Sequence, residues 1–329
     1  MRAEVVTVPG HPNRGRRRTV VRLVATVVVV GVVGYFFAVA LSENWDQVAA
    51  ARLSFSWWWV AAGVLFAAAV PLTGILWRRV LVVLAPEVEI SRAEAVAVQC
   101  ASWLLKYVPG QVGAVANKVV WAGKKQISRV LVVVTFVYEN IFLVFASFVP
   151  SLLILAAVLG LEVIGRNAAT LLLPALALLP LALLAYKPFF HRILSLLLRR
   201  ALKREVPERF FLGTWQLLRF VGEFVGPRVL NGIGFVLIAG TVIELTPVQC
   251  FAFAAAYVLG GAIGLLAIGV PSGLGVREAV IVIILGQFVP VAEAIVIALL
   301  ARLISTLSDG LVALLYAVIR RTVPKEIRP

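Results

Sequence analysis

Near-continuous apolar runs of membrane-crossing length constrain this chain more than any other feature. Residues 20–41, 57–76, 168–186 and 229–243 are apolar stretches of roughly 15–22 residues, against the roughly 20 that an α-helix needs to cross about 30 Å of hydrocarbon. In lipid, every backbone N–H and C=O must find its partner within the chain, so such runs form helices. With 62% of its 329 residues hydrophobic and only 14% charged, the chain has too few polar side chains to cover a soluble core. The expected fold is therefore an all-α, polytopic membrane protein.

The formal net charge is +15, and the basic residues sit in short segments flanking the apolar runs. That is the placement expected of cytoplasmic loops facing anionic lipid, so no nucleic-acid partner is expected. The first run follows Arg14, Arg16, Arg17, Arg18 and Arg22, as a signal peptide would, but it is long for one and lacks a small-residue cleavage site. It is read as an uncleaved helix behind a basic cytoplasmic tail, residues 1–19. Cys100 and Cys250 are isolated in apolar surroundings, and His11 and His191 lie in basic polar segments. Nucleophile–base pairs, metal-ligand spacings and nucleotide loops are all missing, so neither a metal nor a cofactor is expected.

Flanking charge sets the expected path. The N-terminal arginines lie inside, the loop 42–56 with Glu43 and Asp46 outside, and Trp57, Trp58 and Trp59 at the outer interface, before a return to Arg78 and Arg79. Residues 93–108 end at Pro109-Gly110, and the next short segment reaches Lys124, Lys125 and Arg129. Basic flanks on both sides describe a re-entrant hairpin from the cytoplasm, whose non-helical tip requires surrounding protein or a water-filled cavity. From about Ser128 a helix runs outward through Glu139, bending near Pro150, to a turn at 160–167. The run 168–186 returns to the basic segment 187–209, expected along the inner surface.

Residues 229–243 cross outward again. Residues 246–268 then lead to a second break, Pro271-Ser272-Gly273-Leu274-Gly275, followed by the short 276–289 and a last helix ending at Arg320 and Arg321. This second hairpin is expected to enter from outside. The halves 20–186 and 210–329 thus repeat one order with opposite orientation inside a single transmembrane domain, 20–329, joined by 187–209. The count is about six spanning helices plus two re-entrant hairpins in an inverted repeat, with a plain eight-span bundle as the alternative.

Ionisable side chains near the bilayer centre cost roughly 2.5–3.5 kcal/mol each on insertion scales, which marks them as candidates for function. Lys106 and Lys118 bracket the first break, Arg277 and Glu278 follow the second, Glu139 lies within its helix, and Arg302 and Asp309 share a face of the last helix. Glu139 has Lys118 or Arg302 as expected partners, and Arg277 has Glu278 or a carboxylate of the other half. Lys106 and Lys118 are also placed to snorkel to the interface. Pro109 and Pro271 break the helices, while Gly110, Gly113, Gly273 and Gly275 permit close backbone approach, positive φ and peptide N–H groups aimed at an anion. Together these residues make a candidate lipid-headgroup site. Lys118, Arg277 and Arg302 are expected on a phosphate, while Glu139, Glu278 and Asp309 balance charge or meet an amine or sugar.

At Lys106-Tyr107-Val108-Pro109-Gly110-Gln111-Val112-Gly113, at Lys124-Lys125-Gln126-Ile127-Ser128 leading to Tyr138-Glu139, and at Pro271–Glu278 with Arg302, the chain resembles the lysylphosphatidylglycerol synthase transmembrane-region family. This is the flippase-like domain of the bacterial multiple peptide resistance factor. Where that family commonly has Glu-Arg, this chain has Glu139-Asn140. The resemblance implies a stand-alone lipid flippase, expected in the bacterial cytoplasmic membrane, and the flanking basic residues put both termini inside. Its cargo would be an aminoacyl-phospholipid, a glycolipid or a polyprenyl-phosphate-linked sugar. Two alternatives stay open: a glycosyltransferase using a lipid-linked sugar, with Glu43 or Asp46 as its acid, and a scaffold for an envelope-synthesis enzyme. The expected partners are anionic lipids or lipid-linked sugars, with a glycosyltransferase, a lipid-modifying enzyme or a second copy of the chain left open.

Overall fold

A computed structural model describes residues 55–106, 112–163, 192, 195–196, 207–267, 273 and 275–324. They form α1 (Trp57–Leu84), α2 (Arg92–Leu104), α3 (Val112–Lys124), α4 (Arg129–Val163), α5 (Thr214–Ala239), α6 (Pro247–Leu266), α7 (Val276–Leu285) and α8 (Val291–Ile319), with no strand among the described residues. Five segments, α1, α4, α6, α8 and the stretch Glu208–Ala239 containing α5, are long and apolar enough to cross a membrane. The protein is thus a multi-pass α-helical membrane protein. At about 1.5 Å per residue, the 13-residue α2 and α3 and the 10-residue α7 cannot cross on their own.

Local signals set the helix starts. Ser56 Oγ caps α1 by accepting the Trp58 N–H, and Trp57 and Trp58 beside it remain 78% and 60% exposed, as aromatic residues at a lipid–water interface do. Pro247 occupies the first turn of α6, and Thr246 and Gln249 close a reciprocal cap around it. Prolines at 71, 150 and 227 lie inside continuous helices.

Side-chain contacts fix the direction of each pair. Trp59 Nε1 donates to Thr241 Oγ1 at 2.9 Å and Arg79 meets Glu223 at 2.8 Å, so α1 and α5 run antiparallel. One end of the bundle therefore gathers Arg78, Arg79 and Arg219, and the other Trp57 and Thr241. The pair α2 and α3 is also antiparallel. Buried Glu94 accepts from Trp121 Nε1 and Lys125 Nζ, each at 3.0 Å, and Asn117 Nδ2 donates to Ser102 Oγ at 3.0 Å. The open end of this pair lies at the basic end, where Arg78 donates to the Ile90 carbonyl and Trp77, Leu81, Ile90 and Trp121 share one apolar cluster.

The second pair points the other way. Phe253 of α6 and Phe288 after α7 have ring centroids 6.1 Å apart, within a cluster that also takes in Ala62, Phe235 and Leu285 at the tryptophan end. Gly260 and Gly264, four residues apart and hence on one face of α6, let α7 and its preceding break approach the helix backbone. Gly273 has φ +63° and packs directly on Gly264.

Two expectations change here. The helix expected at 229–243 runs from Thr214 to Ala239, and its early turns include Glu223, which takes both Arg79 and Arg219. And α6 is by itself long enough to cross, although it pairs with the short α7. The runs 20–41 and 168–186, the loop residues Glu43 and Asp46, most of 187–206, and Pro109, Gly110 and Pro271 lie outside the described residues.

Candidate functional site

Residues from all eight described helices surround a cavity of about 560 Å³. This is the size range of small-molecule sites. Of the residues singled out in the sequence, Lys106, Lys118, Glu139, Gly273, Arg277 and Arg302 line it. Glu278 and Asp309 stand directly behind that lining, each bonded to a lining cation. Gly275 caps α7, and Gly113 is not part of the lining.

Each carboxylate is held by a cation and by a second donor. Glu139 is ion-paired with Lys118 and accepts Gln99 Nε2 at 2.7 Å. The Lys118 ammonium also lies over the Trp77 ring, 4.3 Å from its centroid, and only 1% of the residue is exposed. Asp309 Oδ1 accepts Lys106 Nζ and Trp103 Nε1, both at 2.8 Å, which ties the tip of α2 to α8. Glu278 accepts the Gly275 N–H at 2.7 Å, and its other oxygen lies 3.6 Å from Arg302 Nη1. Buried ion pairs of this kind survive in a low-dielectric interior only with such extra hydrogen bonds.

Two expectations are corrected by this geometry, and a third is narrowed to one of its two alternatives. Neither lysine snorkels: Lys118 is enclosed, and Lys106 is turned onto Asp309. Glu139 takes Lys118 and not Arg302, because α3 packs beside α4 while Arg302 on α8 faces Glu278. The Gly275 N–H, expected to meet an anion, is occupied by Glu278 from its own helix.

Arg277 pairs with no carboxylate among the described residues. Its Nη2 donates to Tyr257 Oη at 2.9 Å, and the guanidinium lies 4.4 Å from the centroid of that ring. Tyr257 is itself fixed by stacking on Phe66 and Phe235, with centroids 5.2 and 4.7 Å away. Arg228 and Arg302 line the same cavity as this Arg277–Tyr257 pair. Sequence reasoning missed Arg228, Tyr257, Gln99 and Trp103, all of which line the cavity. Arg228 reads as the last charge of a polar stretch, and the others as ordinary polar or interfacial residues. The available signal was the glycine pair 260 and 264, which marks α6 as a helix approached closely by another and draws attention to its neighbour Tyr257.

An α-helical membrane protein with broken helices meeting at a central charged cavity is the class that fold and site define. The family model described as lysylphosphatidylglycerol synthase TM region matches residues 22–313, which include every residue of the cavity. The chain belongs to that family. No individually curated protein matches it.

Proposed function

We propose that the chain is a flippase that carries a phosphate-containing lipid between leaflets, with the headgroup in the cavity and the acyl or prenyl chains in the membrane. The observation that carries this reading is the pair Arg228 and Arg277. Both line the cavity, neither has a carboxylate partner among the described residues, and the buried Nε of each makes no hydrogen bond. Guanidinium groups held ready in a water-poor cavity bind phosphate oxygens through paired N–H donors. Apolar side chains of α1 and α4, among them Phe66, Val70, Phe136 and Phe145, share the lining and suit the first carbons of a lipid tail.

In this reading the two helix pairs are re-entrant hairpins that form the central elements of an inverted repeat. The basic end of the bundle faces the cytoplasm of a bacterium, as the distribution of lysine and arginine favours. Rocking of one half against the other exposes the cavity to each leaflet in turn. The Lys106–Asp309 contact, which ties a hairpin tip to α8, is placed to break and re-form in that motion. The family's name supports a lipid cargo, and an aminoacyl-phospholipid, a phosphate-bearing glycolipid or a polyprenyl-phosphate-linked sugar has the required phosphate.

The test is translocation of fluorescent phospholipid in proteoliposomes. Arg228→Gln and Arg277→Gln should each abolish protein-dependent movement while the variants elute and melt as the parent does. Undiminished movement in both variants removes the cavity from the function.

A further inference from the structure

We infer, resting on the translocation reading, that the headgroup this cavity takes is a net-anionic phosphate diester whose substituent bears hydroxyl groups, and not one that carries an ammonium. Charge placement is the first reason. Five cations line the cavity, Lys106, Lys118, Arg228, Arg277 and Arg302, whereas the carboxylates at or directly behind its wall are three, Glu139, Glu278 and Asp309. Glu139 is engaged by Lys118 and Gln99, and Asp309 by Lys106 and Trp103; Glu278 accepts from Gly275, and its Oε1, which makes no hydrogen bond, stands behind the lining 3.6 Å from Arg302 Nη1. An ammonium entering here meets a surplus of positive charge. The one carboxylate in the lining among the described residues, Glu139, is already held by Lys118 and Gln99, and to reach Asp309 or the unbonded Oε1 of Glu278 behind the wall the ammonium would have to displace Lys106 or Arg302. A phosphate meets the opposite situation, since Arg228 and Arg277 line the cavity without a carboxylate partner among the described residues, and the buried Nε of each makes no hydrogen bond.

The second reason is a buried acceptor in the lining, Gln99. Gln99 is 5% exposed, and its Nε2 is committed to Glu139 at 2.7 Å, which fixes the orientation of the amide because a carboxylate only accepts. Its Oε1 is buried and has no donor. A buried acceptor left without a partner is costly, and a ligand O–H supplies what it lacks. An N–H⁺ would satisfy the same oxygen, but the charge surplus selects the neutral hydroxyl. Phosphate toward Arg228 and Arg277, with a hydroxyl toward Gln99, describes the headgroup of phosphatidylglycerol or a sugar joined through phosphate to a polyprenol equally well.

Competition binding to the full-length protein in phosphatidylcholine nanodiscs decides this, using labelled phosphatidylglycerol as probe. The competitors are unlabelled phosphatidylglycerol, a polyprenyl phosphohexose, lysylphosphatidylglycerol, and phosphatidylethanol, the same diester without hydroxyls. Expected are a preference of at least about tenfold for one of the first two over both of the others, loss of that binding in Arg228→Gln/Arg277→Gln, and collapse of the preference over phosphatidylethanol toward unity in Gln99→Met. Whichever of the first two competes better identifies the source, and either upholds the inference. Equal or tighter arginine-dependent binding of lysylphosphatidylglycerol overturns it and leaves the translocation reading standing. Equal competition by phosphatidylethanol in the parent protein overturns the hydroxyl assignment, and no arginine-dependent binding of any phosphate lipid overturns both readings.

Discussion

Replacing Gly273 by alanine should destabilise the protein by about 2–5 kcal/mol and uncouple Arg277 from Tyr257, although only one methyl group is added. The residue has φ +63°, where an L side chain costs roughly 1–2 kcal/mol. A Cβ there would also stand 2.7 Å from Gly264 Cα and 3.1 Å from its carbonyl carbon and oxygen. These are backbone atoms of α6, so no side chain can rotate away, and overpacking of this kind costs about 1–3 kcal/mol more. The contact relaxes only if the break and α6 separate. Arg277 moves with the break, whereas Tyr257 stays on α6 between Phe66 and Phe235. The comparison is Gly310→Ala in α8, where nothing lies within 4 Å of the added methyl and the helix gains about 0.5–1 kcal/mol. Unfolding in detergent, followed by circular dichroism against denaturant, together with lipid movement in proteoliposomes, measures both effects. A Gly273→Ala protein as stable and as active as Gly310→Ala would refute the reasoning.

Glu139→Gln leaves the enclosed Lys118 without its counter-charge and should cost about 3–5 kcal/mol, whereas Lys118→Met/Glu139→Leu should regain most of that loss, as a double-mutant cycle on unfolding free energy will read. Asp309→Asn weakens two hydrogen bonds at once, to Lys106 and Trp103, and should lower the melting temperature while changing tryptophan fluorescence; a Trp103→Phe background in which that fluorescence change disappears assigns it. Arg277→Lys keeps the charge but not the planar fork that bonds Tyr257 while offering further donors, so lipid movement should fall in the proteoliposome assay with unfolding little altered. Trp59→Phe removes the donor to Thr241 between α1 and α5 and should cost about 0.5–1.5 kcal/mol in the same unfolding measurement.

Hydropathy measured against bilayer thickness is a local property, and so the class of protein, the spanning α1, α4 and α8, and the short broken segments around Lys106 and Gly273 could be read directly from the chain. So could the intramembrane charges, because an ionisable residue in an apolar run stands out wherever the run packs. Partner choice could not be read in this way. Glu139 had two cations in prospect, and only the packing of α3 beside α4 selects Lys118 and leaves Arg302 to Glu278. Arg228 gives the plainest case: in sequence it closes a polar stretch, yet α5 begins early enough to carry it past Glu223 and into the cavity wall beside Tyr257. Which faces of eight helices oppose one another depends on contacts between residues far apart in the chain, such as Trp59 with Thr241 or Gly264 with Gly273. The site's charge balance is a sum over those faces, and tertiary structure alone decides it.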